Sequence, residues 1–162
     1  MITPAVIRQI HEVMTLEPFT VTEDTGLEEL MDLFSRRDFN AFPVVDHSGT
    51  LQGIVTKLDL LRALRPARGH FAPDLKAFGA GTVQDVMRRG VIAVEPGDPV
   101  SVAADLMIET RLRSLPVVER KHGEGPHLVG IVSHGDVLRG LRFDLADAQP
   151  HALTGAPRPR PA

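Results

Sequence analysis

The chain has 162 residues, with 43% hydrophobic and 24% charged residues and a net charge of −3. That balance fits a globular domain with one good core or two small dependent halves. It argues against nucleic acid or an anionic membrane surface as the main partner, because both select a basic footprint. There is no cysteine, which excludes disulfides, thiolate metal sites and cysteine nucleophiles.

No apolar run approaches the ~18 residues of a membrane span. Met1-Ile2-Thr3-Pro4 lacks the basic-then-apolar layout of a signal peptide, so the cytosol is the expected compartment. Val6, Ile10, Val13 and Met14 recur at helical spacing and predict a leading helix over residues 5–14. Phe19-Thr20-Val21 predicts a short strand. Thr25 to Glu28 has capping-box spacing, and Leu27, Leu30, Met31 and Phe34 continue as an amphipathic helix ending near Arg37. Pro43-Val44-Val45, the turn Asp46 to Gly49, and Leu51 to Val55 predict a β-hairpin. Thr56 is the expected N-cap of a helix reaching Leu64.

Residues 65–81 read as a semi-ordered crossover, with Phe71, Leu75 and Phe78 as packing points. The script then repeats. Val83, Val86 and Met87 form a helical stub, and Ile92-Ala93-Val94 a strand. Asp98 is the expected N-cap and Pro99 the first helical residue, before a face of Val100, Ala103, Ala104 and Met107. Pro116 to Val118 and Leu128 to Val132 form a second hairpin with a longer loop, Arg120 to His127. Ser133 caps a last helix ending near Leu141. From Asp144 onward, composition predicts a flexible tail rich in Pro, Ala and Arg.

Two stretches are nearly written twice. Phe42-Pro43-Val44-Val45-Asp46 returns as Leu115-Pro116-Val117-Val118-Glu119, and Gly53-Ile54-Val55-Thr56 to Asp59 returns as Gly130-Ile131-Val132-Ser133 to Asp136. Met14 and Met87 lie 73 positions apart, as do Pro43 and Pro116. Gly53 and Gly130 lie 77 apart, so the second copy carries four extra residues between its two motifs. The organisation expected is therefore a first repeat at 1–64, a linker at 65–81, a second repeat at 82–142 and a tail at 143–162. The fold class is α/β (α+β), with two β-α-β-β-α repeats packed about an approximate two-fold axis. One such unit would be marginal alone, and face-to-face pairing of the two sheets would bury both sets of strands.

The chemistry concentrates at the Gly-Ile-Val motifs. Thr56 caps a helix, and Asp59 follows one turn on at the same helix mouth. Free N–H groups there favour an anion, and a carboxylate can accept both hydroxyls of a ribose. Gly53 and Gly130 permit close backbone approach or special dihedrals. The same Thr/Ser-x-x-Asp spacing is also an ordinary helix start. Its occurrence at matching places in both repeats favours the ligand reading.

Residues 10–142 resemble a tandem pair of CBS domains, the module named after cystathionine β-synthase. The motifs that carry the resemblance are Val13-Met14 and Val86-Met87, the two Pro-Val-Val segments, and the two Gly-Ile-Val-Thr/Ser-x-x-Asp segments. The resemblance implies binding of adenosine-containing ligands (AMP, ADP, ATP, S-adenosylmethionine or NAD) in clefts between the repeats. It implies that Ile54, Thr56 and Asp59 share cleft one with Ile92, Leu112, Arg113 and Ser114. Cleft two would combine Ile131, Ser133 and Asp136 with Phe19, Phe39, Asn40 and Ala41. Arg113 stands where basic residues of the family meet phosphate, whereas the first repeat has Asn40 and Ala41. Cleft one is therefore expected to take the more highly phosphorylated ligand. The resemblance also implies a homodimer through helix faces.

Other chemistry finds less support. The seven histidines, His11, His47, His70, His122, His127, His134 and His151, lack metal-ligand spacing, so no metal is expected. His134 follows the Ser133 cap and is a candidate neighbour of a phosphate. Ser133-His134 has no assignable third group, so no catalytic residue is expected. Glu28/Glu29 and Asp144/Asp147 read as solvated faces. Arg36-Arg37 reads as dipole compensation, and Arg88-Arg89, near cleft one, as a weaker candidate for phosphate. The expected protein is a non-enzymatic regulatory module whose output lies in an unknown effector protein. The alternative is a dimerisation or docking module that never fills its clefts.

Overall fold

The computed structural model describes residues 8–66, 69 and 72–148, with side chains to residue 142. Repeat one contains helix α1 (Leu27–Arg36), strands β2 (Ala41–Val45) and β3 (Leu51–Thr56), and helix α2 (Lys57–Ala63). Repeat two contains α5 (Val100–Thr110), β4 (Ser114–Glu119), β5 (His127–Ser133) and α6 (His134–Ala148). Between them lie α3 (Leu75–Gly79) and α4 (Val83–Val86), and β1 (Thr15–Leu16) precedes repeat one. Both hairpins form in matching register, with Ala41 opposite Thr56 and Ser114 opposite Ser133.

The first strand of each repeat is reduced to one parallel bridge, Val21 to Val44 and Val94 to Val117. Val21 N–H donates to Pro43 O (3.1 Å) and Val94 N–H to Pro116 O (3.0 Å). A proline carbonyl can accept though its nitrogen cannot donate, so Pro43 and Pro116 each use their one ladder group this way. Phe19-Thr20 and Ile92-Ala93 lie outside any ladder, shorter than the expected strands.

The leading helix is not formed where it is described. Its place is taken by a 3₁₀ turn, Ile10–Glu12, and then β1; residues 5–7 lie outside the described residues. The reason is a competing partner. Ile10 N–H donates to Asp98 O (2.9 Å) and His11 N–H to Pro96 O (3.0 Å), so this backbone is committed to repeat two. β1 then pairs antiparallel with β5, Thr15 opposite Ile131. The stub of repeat two does the reciprocal thing: Arg88 and Ile54 exchange two backbone hydrogen bonds of 2.9 Å.

This exchange also builds the cores. Core one gathers Leu30, Phe34, Phe42, Val44 and Val55 of repeat one with Phe78 and Val83 from the crossover and second stub. Core two gathers Val100, Leu115, Val117 and Val132 of repeat two with Ile10 from the first stub. Each hairpin-and-helix unit is too small to cover its own sheet, and the other unit's stub closes it. Gly53 and Gly130 sit at these crossings. A Cβ on Gly53 would lie 2.7 Å from Arg88 O, and one on Gly130 would lie 2.9 Å from Thr15 O. Close approach, not special dihedrals, is what these glycines serve, since neither has positive φ.

Three further expectations are corrected. Thr25 does not cap α1: Gly26 is the N-cap, and the Thr25 hydroxyl accepts from Thr22 N–H (3.1 Å). Pro99 is the N-cap of α5, while Asp98 accepts from Glu95 N–H (2.8 Å) in the preceding turn. Helix α6 runs past Leu141 to Ala148, because Leu145, Ala146 and Ala148 are strong helix formers; residues 149–162 lie outside the described residues. The crossover contains α3, capped by Asp74, with Phe78 buried and Leu75 exposed; Phe71 lies outside the described residues.

Candidate ligand clefts between the repeats

Strand β3 delivers Thr56 to the start of α2, and a reciprocal capping box forms there. Thr56 N–H and hydroxyl donate to Asp59 Oδ2 (2.9 and 2.7 Å), while Asp59 N–H donates to Thr56 Oγ1 (3.2 Å). Strand β5 and α6 build the same box from Ser133 and Asp136, with both donor contacts to Oδ2 at 2.8 Å. Asp59 and Asp136 are the two buried acidic residues among the described residues. Each also meets an arginine one turn on, Arg62 Nη1 at 3.3 Å for Asp59 and Arg139 for Asp136.

Beyond that the two sites diverge. Arg88, arriving on the stub that pairs with β3, donates from Nε (3.0 Å) and Nη2 (2.9 Å) to Asp59 Oδ1. Its counterpart 73 positions earlier is Thr15, which lines the hollow beside Asp136.

A cleft of about 540 Å³ opens beside Thr56, between α2 and the segment joining α5 to β4. Of the residues expected in cleft one, Ile54, Thr56, Leu112, Arg113 and Ser114 line it. Asp59 and Ile92 do not. Asp59 sits behind the Arg88 guanidinium, and Ile92 belongs to the stretch that failed to extend as a strand. Cleft one is cationic: Lys57, Arg62, Arg88, Arg111 and Arg113 line it, with no carboxylate among the lining residues. Arg111 ends α5 in the left-handed region, φ 59°, a conformation uncommon for a non-glycine residue and found at functional sites.

A second cleft of about 300 Å³ lies beside Ser133. Phe19, Phe39, Asn40, Ala41, Ile131, Ser133 and Asp136, the residues the resemblance groups as cleft two, all line it. Thr15, Pro18 and Asp38 join them. Arg113 and Ser114 border both clefts, as do Asn40 and Ala41, so the hollows meet along the starts of β2 and β4. The Arg37 guanidinium lies 3.7 Å over the Phe19 ring, a cation–π contact at the rim.

Sequence reasoning missed Lys57, Arg62 and Arg111 in cleft one and Thr15 and Asp38 in cleft two. The 73-residue offset relates Thr15 to Arg88, so Arg88, the weaker candidate near cleft one, pointed to Thr15 in cleft two; Asp38 and Arg111 are each other's counterparts, and the repeat alone singles out neither them nor Lys57 and Arg62. His134 lines neither cleft; its Nε2 lies 2.8 Å from Leu112 O, a contact in which the ring donates. Among the described residues no group of three or more His, Asp or Glu side chains is arranged to hold a metal, and no helix is long and apolar enough to cross a membrane.

Two hairpin-and-helix repeats that exchange their stubs, with a hollow beside each Thr/Ser-x-x-Asp cap, define a tandem-repeat module. The family model for the CBS domain matches residues 10–66 and 83–142, and the chain belongs to that family. An uncharacterized protein of Methanocaldococcus jannaschii is 30% identical over 159 residues, covering 83% of this chain and 92% of that protein. The structure of CBSX2 from Arabidopsis thaliana, solved in complex with AMP, superposes with a TM-score of 0.67 at 26% identity, covering 83% of this chain and 96% of that one. The CBS domain pair of protein MJ0100, solved with 5′-methylthioadenosine and S-adenosyl-L-methionine, gives 0.66 at 25% identity, covering 84% and 97%.

Proposed function

We propose that this CBS pair is a non-catalytic regulatory module that binds adenosine-containing ligands between its repeats. The observation that carries the reading is cleft two, where the seven residues implied by the family resemblance line one hollow with the Asp136 carboxylate in its wall. Asp136 has three donors, Ser133 N–H, Ser133 hydroxyl and Arg139, against about four lone-pair sites on a carboxylate, which leaves it room for a ribose hydroxyl. Cleft one suits the ligand with more phosphates, since five cationic side chains line it. AMP and the adenosyl compounds seen in the related structures fit the smaller, mixed-charge cleft two, whereas ADP or ATP fits cleft one.

The module acts by differential affinity for two arrangements of its repeats, sensed in the cytoplasm by an effector protein. Leu61 on α2 and Leu138 on α6 are 63% and 67% exposed and stand 77 positions apart, at equivalent places. They supply a face for an isologous homodimer.

The test is calorimetric titration of AMP, ADP, ATP, S-adenosylmethionine and NAD into the wild type and the Asp59→Ala/Asp136→Ala double variant. Saturable binding to the wild type, lost in the double variant, is expected. The chain has no Trp or Tyr, so an adenine ligand carried through purification will dominate its ultraviolet spectrum. No heat with any of the five favours a docking module whose carboxylates are helix caps only.

A further inference from the structure

Asp59 is 5% exposed and accepts five hydrogen bonds: two from Thr56, one from Arg62 and two from Arg88. A carboxylate offers about four lone-pair sites, so nothing is left for a sugar hydroxyl while Arg88 is in place. The Arg88 backbone is pinned by its two bonds to Ile54, but its side chain is 43% exposed and lines cleft one. The guanidinium can therefore leave Asp59 without disturbing the stub. Arg62 stays behind as a counter-charge.

Resting on the nucleotide reading above, we propose that Arg88 is a specificity gate: cleft one admits a nucleoside only when the ligand also brings phosphate to receive the Arg88 guanidinium. The argument is an exchange of partners. With Thr56 and Arg62 still in place, a bare ribose offers Asp59 a neutral hydroxyl bond in place of two charge-assisted ones from Arg88, each roughly twice as strong. The exchange is uphill for adenosine. A ligand with phosphates gives Arg88 a new bidentate anion, and the loss is returned. Cleft two carries Thr15 where cleft one has Arg88, so it has no such gate and accepts adenosine itself.

Two-dimensional amide spectra read the clefts separately, through Thr56 and Asp59 for cleft one and Ser133 and Asp136 for cleft two. Adenosine, AMP and ATP are titrated into the wild type and Arg88→Thr, which installs the residue of cleft two. In the wild type, adenosine is expected to move the cleft-two amides and leave the cleft-one amides still, while ATP moves both. In Arg88→Thr, adenosine gains cleft one by about tenfold or more, the factor expected when a charge-assisted competitor is removed, and the preference of that cleft for ATP over adenosine shrinks alike. Adenosine binding to cleft one of the wild type as tightly as to that of the variant overturns the gate and leaves the nucleotide reading standing. Silence of both amide sets with all three ligands overturns both. Should Arg88→Thr lose its dispersed spectrum, the wild-type ratio decides: adenosine and ATP of equal affinity at cleft one sink the proposal.

Discussion

The two clefts share a backbone plan and differ in charge. Position by position, cleft one has Arg88 and Arg111 where cleft two has Thr15 and Asp38, and Lys57 lines cleft one whereas its counterpart His134 lines neither. The framework is the same on both sides: Ala41 faces Thr56 as Ser114 faces Ser133, and Arg88 bridges Ile54 as Thr15 pairs with Ile131. Helix starts are held alike, Lys57 N–H donating to Asn40 O (3.2 Å) and His134 N–H to Arg113 O (3.1 Å). What duplication preserved is thus the main chain and the acid at its cap. What diverged is the set of side chains that decides whether that acid faces a hollow or an arginine.

The largest expected effect tests the shared framework. Gly53→Ala sets a methyl 2.7 Å from Arg88 O, and relief requires breaking the paired bonds between Arg88 and Ile54. Overpacking of this kind costs about 1–3 kcal/mol, and each lost backbone bond adds about 1 kcal/mol. Gly130→Ala meets Thr15 O and the Met14 sulfur, both at 2.9 Å. Both positions set the methyl against a backbone carbonyl and a methionine side chain, and the longer approach to the carbonyl at Gly130 makes its penalty the smaller of the two. Denaturant unfolding of both variants measures this, and a Gly53→Ala protein as stable as the wild type would refute the stub-exchange account.

Next comes the divergence itself. Asp59→Ala removes a cap and strands two arginines, at a cost of about 2 kcal/mol, held down because both guanidiniums can return to water. Asp136→Ala removes a cap and one arginine partner, at about 1 kcal/mol. Thermal unfolding of the two variants side by side should rank Asp59 above Asp136. The reverse order would mean that Arg88 contributes little to the fold.

The sequence made the repeats, both hairpins and the Thr56 and Ser133 caps legible, because each is set by local spacing or by the copy 73 or 77 residues away, while the grouping of the cleft-two residues came from the family resemblance. The partner of each stub was not legible. The helical periodicity of Val6, Ile10, Val13 and Met14 says that a face is buried but not against what, and Ile10 is buried in the core of the other repeat. The Arg88 contact on Asp59 was not legible for the same reason. The Asp59 cap is local, whereas the residue that closes it comes from 29 positions along the chain, through a strand contact no periodicity encodes. The first strands failed as strands because the proline of each partner, with no N–H, supports a single bridge.

The smallest expected effect concerns the hairpin turns, where the repeats also differ. Repeat one turns tightly through Gly49, φ 81°, with Asp46 Oδ1 accepting from Ser48 hydroxyl (2.7 Å), Ser48 N–H (2.9 Å) and Thr50 N–H (3.0 Å). Repeat two uses its longer loop to lean on that turn: Leu51 N–H donates to Pro126 O (2.8 Å) and Leu128 N–H to Gly49 O (3.0 Å). The Ser48 hydroxyl, with the Thr50 and Ser48 amides and the Gln52 side chain, holds the Asp46 carboxyl below its ordinary value against a smaller opposing effect of desolvation. A depressed folded-state value contributes stability that is present above the unfolded value and is lost as pH falls through the folded one. Acidification therefore loosens the turn and, with it, the two bonds to the second repeat. Ser48→Ala should return the Asp46 titration toward that of a free carboxyl. An acid titration followed at the Ser48, Thr50 and Leu128 amides reads the coupling: Leu128 moving together with Ser48 supports it, and a static Leu128 while Ser48 titrates would show that the loop of repeat two rests on Gly49 without sensing the acid beneath.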